Sequence, residues 1–514
     1  MKIINSIVSW AFKKRIHQIE LFLKYPHDVQ NEVFKNLLRN GRDTEFGKKY
    51  GFSNIISPDD FANRIPVQSY EQLFPYIDRT MKGEKNLLWP SEVKWFAKSS
   101  GTTNARSKFI PVTSEALEDC HFKGGKDMLS IYVNNYPNTN LFNGKGLGIG
   151  GSHQINEYDP TETSFYGDVS AVIMQNLPVW AQFIRTPSLD LALLDKWEEK
   201  IEKMAEVTSR ENVTNLSGVP TWTILLIKKV VEITKSNNIL EVWPNLEAFF
   251  HGAVAFKPYR NLFKELIPKK DMHYMETYNA SEGFFGIQDH TQKDELLLML
   301  DYGIYYEFIP VSELESENPR TLTLDQVKKG ENYAMLITTN AGLWRYNIGD
   351  TIKFTSTAPY RIKISGRTKH FINAFGEEVI IENAETAISY ACEHTGSIID
   401  NFTAAPVYFE GNNKGCHEWI IEFSKEPDSL DRFRNLLDET LRNINSDYDA
   451  KRYKDMALQA PIVRIAPVGT FYEWMRKRGK LGGQNKVPRL SNNREYIDDI
   501  FAIMNSKGEY KSTA

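Results

Sequence analysis

The densest run of groups able to bind oxyanions is KSSGTTNARSKFIP, where Ser99, Ser100, Thr102 and Thr103 surround Gly101 and are followed by Arg106 and Lys108. Four hydroxyls, one glycine and two cations suit phosphate oxygens. A turn between two strands exposes backbone N–H groups, hydroxyls add donors, and a lysine neutralises charge on a departing pyrophosphate. The Gly-Lys-Ser/Thr ending of a Walker A loop is missing. A polar surface loop is the competing reading.

Four further stretches carry groups for nucleotide chemistry. In METYNASEGFFG, Tyr278 offers a flat ring, Ser281 a hydroxyl and Glu282 a hard oxygen ligand for Mg²⁺. Taken alone, the same residues read more readily as a helix N-terminus capped by Asn279 or Ser281 with Glu282 in the first turn. In LWRYNIGDTIKF, Gly349-Asp350 is read as the end of a turn before a strand. A carboxylate there can accept both hydroxyls of a ribose, or simply hold the turn. In ISGRTKHF, Arg367 and Lys369 follow Gly366, which suggests a hinge. In GKLGGQNKVPRL, Gly482, Gly483 and Pro488 make an irregular stretch that presents Lys486, after a basic run of Arg476, Lys477, Arg478 and Lys480. A solvated surface loop is the alternative for both of these basic features.

Two other patterns are set aside. Gly146, Gly148 and Gly151 spell G-x-G-x-x-G, but the segments before and after read as loops, where a dinucleotide site needs a strand and then a helix. The 10 histidines show neither His-x-x-x-His nor His-Glu-x-x-His spacing, so a metalloprotease-type site has no support.

These residues have to be positioned by a chain of 514 residues, enough for two or three domains at about 150 residues each. With 41% hydrophobic and 25% charged residues, and 31 Gly and 22 Pro spread along the length, the composition is that of a soluble globular protein. A net charge of −4 gives no electrostatic footprint for nucleic acid. Cys120, Cys392 and Cys416 lack Cys-x-x-Cys spacing, which excludes a disulfide framework and fits a reducing, cytoplasmic compartment. The first twenty residues read as an amphipathic helix, because the apolar stretch precedes Lys13, Lys14 and Arg15 and so reverses the order of a secretory signal. Val169 to Ile184, interrupted by Gln175, Asn176 and Pro178, falls short of the ~20 residues of a membrane span.

Apolar residues at three and four spacing make the first ninety residues a helical layer. From Val93 onward short β-type runs (VKWFA, KFIPVT, LEAFF, YAMLITT) alternate with helical ones, including a helix expected to be capped by Ser114. The pattern is α/β. The last block has its own strands (VYFE, HEWIIEFS, PIVRIAPV) and the helix SLDRFRNLLDETLRNIN, enough for a smaller α+β domain. We expect a large N-terminal domain over 1–365, with β-sheets and helices, and a small mobile one over 366–514.

In their order along the chain, the hydroxyl-rich loop, Tyr-x-x-Ser-Glu, Arg-Tyr-x-x-Gly-Asp, Gly-Arg hinge and late lysine resemble the acyl-adenylate-forming superfamily. More closely, the chain resembles the auxin-inducible Gretchen Hagen family of acyl acid amido synthetases. RDTEFGKKYGF, IPVQSYEQLFPYIDRTMKGE, FFHGAVAF and Gln484-Asn485-Lys486-Val487-Pro488-Arg489 extend the likeness nearly end to end. The resemblance implies ATP and Mg²⁺. It puts Ser99, Ser100, Gly101, Thr102, Thr103 and Lys108 around the phosphates, Gly252 and Ala253 along the adenine, and Tyr278 stacked on that base. Ser281 and Glu282 serve the α-phosphate and Mg²⁺, Asp350 the ribose, Arg367 a second nucleotide contact, Lys369 the hinge, and Lys486 the reacting centre. Asn104 and Ala105 stand where the family usually has glycine, which implies a stiffer phosphate loop.

The implied activity is a ligase reaction in two steps: a small carboxylic acid becomes an acyl-adenylate, which then passes to an amino acid. An acyl-CoA ligase shares the first step, with RKRGK (Arg476 to Lys480) as the compact candidate to dock CoA. A binding protein that has lost catalysis is the third reading. Trp222, in LSGVPTWTILLI, is either a wall of the acyl pocket or ordinary helix packing. A monomer or weak dimer without nucleic acid or membrane partners is expected.

Overall fold

In the computed structural model, described residues are 15–99, 108–161, 163–194, 196–253, 256–314, 316, 319–367, 371–372, 377, 379–407, 415–445, 448–449, 452, 458–479, 487–491, 494–508 and 510–513. The chain divides into two compact units, one of residues 1–254 and 266–363, the other of 255–265 and 364–514. The short segment 255–265 thus leaves the first unit and returns to it, which hydrophobic patterning does not reveal.

The first unit opens with the expected helical layer. Helices Pro26–Gly41, Glu45–Tyr50, Pro58–Arg64 and Tyr70–Met81 send Phe34, Phe46, Phe61, Leu73 and Ile77 into one core shared with the sheet residues Tyr305, Phe308, Trp344 and Tyr346. Side-chain caps start the last three: Thr44 and Ser57 accept from backbone N–H groups three residues on, and Ser69 and Gln72 form a capping box. The helix expected to be capped by Ser114 is capped one residue earlier, by Thr113, whose hydroxyl accepts from Ala116 N.

Among the described residues, eleven strands form the main sheet, in the spatial order Ile304–Pro310, Asn332–Thr339, Tyr346–Thr357, Tyr360–Arg367, Leu296–Leu298, Gly283–Ile287, His273–Ala280, Ala248–Gly252, Val213–Gly218, Lys145–Gly148, Arg185–Thr186. From His273–Ala280 to the Arg185–Thr186 edge every pairing is parallel. Crossovers through helices such as Pro220–Thr234 make this half α/β. Trp222 is buried in the first turn of that helix. A second sheet runs in the order Lys108–Val112, Trp95–Ser99, Phe165–Gly167, His153–Ile155. The dinucleotide pattern fails as expected in that no helix opens at Gly151, and additionally because Gly146 and Gly148 lie inside a strand.

The second unit is a three-stranded sheet, Ile398–Val407, Cys416–Lys425 and Ile462–Ala466, the first pair antiparallel and the second parallel. Alternation along Cys416–Lys425 divides its two faces. Trp419 and Ile421 pack with Ile388, Phe433 and Leu437 of helices Ile381–Thr395 and Leu430–Ile444. Ile420 packs with Phe471, Trp474 and Ile500 of helices Thr470–Lys477 and Glu495–Lys507. Segment 255–265 belongs to this unit through Tyr259, whose ring lies 6.0 Å from the Arg489 guanidinium and whose hydroxyl accepts from it.

Candidate active site

Strand His273–Ala280 is the seam of the main sheet, antiparallel to Gly283–Ile287 on one side and parallel to Ala248–Gly252 on the other. Open α/β sheets take ligands at the carboxyl ends of their parallel strands. Gly252 ends one of these strands with Ala253 next, and Ser281 and Glu282 follow the end of the neighbouring one. The stretch METYNASEGFFG is therefore a β-hairpin with Ser281 and Glu282 as its turn, and the helix N-terminus reading is overturned. Cross-strand pairing with Ala248–Gly252 outweighs the local preference of Asn, Ser and Glu for a helix start.

Backbone crowding explains the small residues here. A Cβ on Gly252 would stand 2.6 Å from Thr277 O, so only glycine lets the two strands close. Ala253 then adopts φ +71°, a conformation that costs an alanine on the order of 1 kcal/mol and is held by its surroundings. Ser281 is 3% exposed, and its hydroxyl has no hydrogen-bond partner among the described residues. A buried hydroxyl left unpaired costs about 1–3 kcal/mol, which an acceptor oxygen of a ligand would relieve. Behind the turn, Phe284 N donates to Cys120 Sγ at 3.1 Å, from a single wide (π) turn, Leu117–Phe122. Burial pushes that thiol up to about 12, so it acts as a neutral acceptor that fixes the strand after Glu282.

Asp350 is not at the end of a turn, as the sequence reading has it, but within strand Tyr346–Thr357. Gly349 at φ +85° and the register shift against Asn332–Thr339 put Asp350 in a bulge, which re-aims the carboxylate. Tyr278 hydroxyl donates to Asp350 Oδ2 at 2.6 Å, so the residue expected to stack on the base also fixes the carboxylate expected to hold the ribose. Tyr278 itself is buried, with its ring 4.9 Å from that of Phe285.

Two tyrosines that sequence reasoning did not select complete the cluster. Tyr70 hydroxyl accepts from Phe109 N at 2.8 Å, and the Lys108 ammonium lies 5.6 Å from its ring. Burial first, then the charges of Glu71 and Glu282, pushes its phenol up to about 12. Tyr346 is fully buried, and its hydroxyl has no hydrogen-bond partner among the described residues. Burial, then the charges of Glu282, Glu71 and Asp350, raises its phenol far above the ordinary range. Both stay protonated donors beside carboxylates. Tyr346 was visible inside Arg-Tyr-x-x-Gly-Asp, whereas Tyr70 carried no signal beyond its place after a capping serine.

The arginine before Tyr346 is structural. Arg345, at φ +45°, pairs both oxygens of buried Glu307 at 3.0 and 3.1 Å through Nε and donates to Ala62 O at 2.9 Å. Gln68 N donates to Arg345 O, and Asn347 N to Gln68 O, each at 2.9 Å, which ties the helical layer to the start of the Asp350 strand.

Ser99 faces Lys108 across strands Trp95–Ser99 and Lys108–Val112, so the hydroxyl-rich segment connects a β-hairpin. Ser100, Gly101, Thr102, Thr103, Lys369, Lys486 and the side chains of Ser99 and Arg367 lie outside the described residues. The segment that follows Lys486 is anchored within the second unit. Ala404 N donates to Arg489 O at 2.9 Å, Ser491 N to Ala404 O at 3.1 Å, and Thr403 hydroxyl to Pro488 O at 2.6 Å. In the basic run, Lys477 pairs with Glu473 at 3.3 Å, and Arg478 pairs with Asp499 at 2.7 Å between the rings of Trp474 and Tyr496.

The seam strand carries Tyr-x-x-Ser-Glu and joins a tyrosine-held aspartate, within a mixed α/β sheet. The chain belongs to the GH3 family: its residues 15–272 match the family's N-terminal domain, 297–367 its central domain and 382–495 its C-terminal domain. Indole-3-acetic acid-amido synthetase GH3.3 of Arabidopsis thaliana is 22% identical over 93% of this chain and 91% of its own. Jasmonoyl-L-amino acid synthetase JAR4 of Nicotiana attenuata is 24% identical over 92% of each. The solved structure of the GH3.15 acyl acid amido synthetase superposes with a TM-score of 0.76 at 16% identity, over 95% of both chains. Family and α/β fold agree with the sequence expectation.

Proposed function

We propose that the protein is an ATP-dependent acyl acid amido synthetase. The observation that carries this reading is the hairpin turn Ser281-Glu282, with its buried unpaired hydroxyl, beside the Tyr278–Asp350 pair at the carboxyl end of the sheet. In the first step an oxygen of a small carboxylic acid attacks the α-phosphorus of ATP and pyrophosphate leaves. In the second an amino acid nitrogen attacks the acyl carbon, loses a proton and displaces AMP. Gly252 and Ala253 line the adenine, Tyr278 covers it and orients Asp350, and Asp350 takes the ribose hydroxyls. Ser281 donates to the α-phosphate. Ser99, Ser100, Gly101, Thr102, Thr103 and Lys108 take the β- and γ-phosphates.

Among the described residues, no three His, Cys, Asp or Glu gather into a metal cage. A single carboxylate suits Mg²⁺, which keeps water and substrate phosphates as its other ligands. Glu282 is the residue that would hold it, and the ion would supply neutralising charge on the phosphate oxygens. Arg367 makes a second nucleotide contact, Lys369 marks the hinge of the 366–514 domain, and Lys486 bridges the acid and the α-phosphate. Amino acids, not CoA, are the proposed acceptors, since two cations of RKRGK are already held in ion pairs. Among the described residues no helix is long and apolar enough to cross a membrane. Three buried cysteines without disulfides fit the cytoplasm, and we propose a monomer or weak dimer there. The test is acid-dependent amide formation with an amino acid, ATP and Mg²⁺, read by product mass. Productive thioester formation with CoA in place of any amide would overturn the acceptor assignment.

A further inference from the structure

A half-buried cation far along the sheet is not used by the reaction as described so far. Arg185 stands on the edge strand Arg185–Thr186. Among the described residues its guanidinium donates to Gln182 Oε1 at 3.4 Å and to Met174 Sδ at 3.3 Å. No carboxylate among the described residues pairs with it, and burial alone pulls its pKa below that of an ordinary arginine. Guanidinium groups withdrawn from water are ordinarily paired with an anion, because the desolvation is otherwise uncompensated.

Register shows where this cation points. Arg185 is opposite Gly146, Gly146 opposite Asn215, Asn215 opposite Ala248, and Ala248 opposite His273. Paired residues share a face and alternate ones return to it, so Arg185 lies on the same sheet face as Thr277, the partner of Gly252 in the site. Three strand spacings, about 14 Å, separate its strand from Ala248–Gly252. Between them this face carries Gly146 and Gly148 on one strand and the polar Asn215 and Ser217 on the next. Gly146 and Gly148 carry no side chains, and Met174 stands over Gly148 and Gly150, with Sδ 2.7 Å from where a Cβ on Gly150 would be. Phe183 and Ile184, just before Arg185, are exposed apolar residues.

We propose that Arg185 holds a carboxylate of the substrate other than the one that is activated, across this strip of the sheet. The inference rests on the amido synthetase reading. Such a carboxylate has two sources, the far end of a dicarboxylic acyl acid or the carboxylate of the acceptor amino acid. Arginine suits either, since its planar fork matches a carboxylate with two parallel hydrogen bonds.

Two arms of one experiment separate the sources. In the first, ATP–pyrophosphate exchange is compared for octanoate against octanedioate, and for 3-phenylpropanoate against its para-carboxy derivative. In the second, amide formation with the best acid is compared for phenylalanine against phenethylamine, and for alanine against ethylamine. In one arm the wild type should prefer the carboxylate-bearing member by at least ~30-fold in kcat/KM, the preference of a site built around a polar group. Arg185→Gln should collapse that ratio toward one, mainly through KM, and Arg185→Lys should restore part of it. Thermal unfolding of each variant identifies one that has merely failed to fold, in which case the Lys variant decides. A wild type without preference in either arm, or a ratio unmoved by Arg185→Gln, would overturn the proposal. Exchange with no acid at all, by contrast, would strike the function itself.

Discussion

The proposed reaction assigns Glu282 and Asp350 separable tasks, and single substitutions test the assignment. Glu282→Gln keeps the shape of the turn and removes the charge offered to Mg²⁺. Acid-dependent exchange should fall at least ~100-fold, the effect of losing one well-placed electrostatic group. Tyr278→Phe removes the 2.6 Å hydrogen bond to Asp350 Oδ2 and leaves the ring. ATP should then bind more weakly by about 1.5–3 kcal/mol, the size of a hydrogen bond to a charged group, while acid affinity holds. An ATP titration of the exchange rate checks this, and unchanged ATP affinity would mean that the pair serves the strand and not the nucleotide.

At the scale of elements, the buried pair Arg345–Glu307 is the strut that seats strand Tyr346–Thr357 against the helical layer. Breaking a buried pair from one side typically costs about 3–5 kcal/mol. Glu307→Gln should therefore lower the unfolding midpoint in urea, and a midpoint equal to wild type would contradict the assignment. Much at this scale was legible in the sequence: the helical layer, the β-runs on both sides of the hydroxyl-rich segment, and the helix after Ser429 all have local periodicity or caps. What was not legible depends on distant partners. Ser281-Glu282 is a turn only because strand Ala248–Gly252 pairs alongside His273–Ala280. Asp350 sits in a strand only because Asn332–Thr339 runs past the bulge at Gly349. Tyr70 joins the site from a helix more than two hundred residues away in sequence from Glu282, and no local pattern announces that.

Across the whole molecule, burial holds the thiols of Cys392 and Cys416 up at about 11, and that of Cys120 higher still. Raised thiol pKa values favour the neutral form in the folded state, so their stabilisation is complete below pH ~9 and is lost as pH climbs through the folded values. Each thiol should contribute a decline of about 1.4 kcal/mol per pH unit in that window. Urea melts between pH 8 and 11 would show it, and a flat profile would contradict it. The two half-reactions should also separate by domain. Lys486→Ala should suppress pyrophosphate exchange while presynthesised acyl-adenylate is still consumed by the amine, and Lys369→Pro should do the reverse, because a fixed φ at the hinge hinders rotation more than the first chemistry. The most direct measurement of all is ATP–pyrophosphate exchange by the full chain across a library of aromatic and aliphatic carboxylates, run beside Glu282→Gln. Exchange that appears only with particular acids and drops at least ~100-fold in the variant is the expected result. Exchange without any acid, or equal in both proteins, would contradict adenylation at this site.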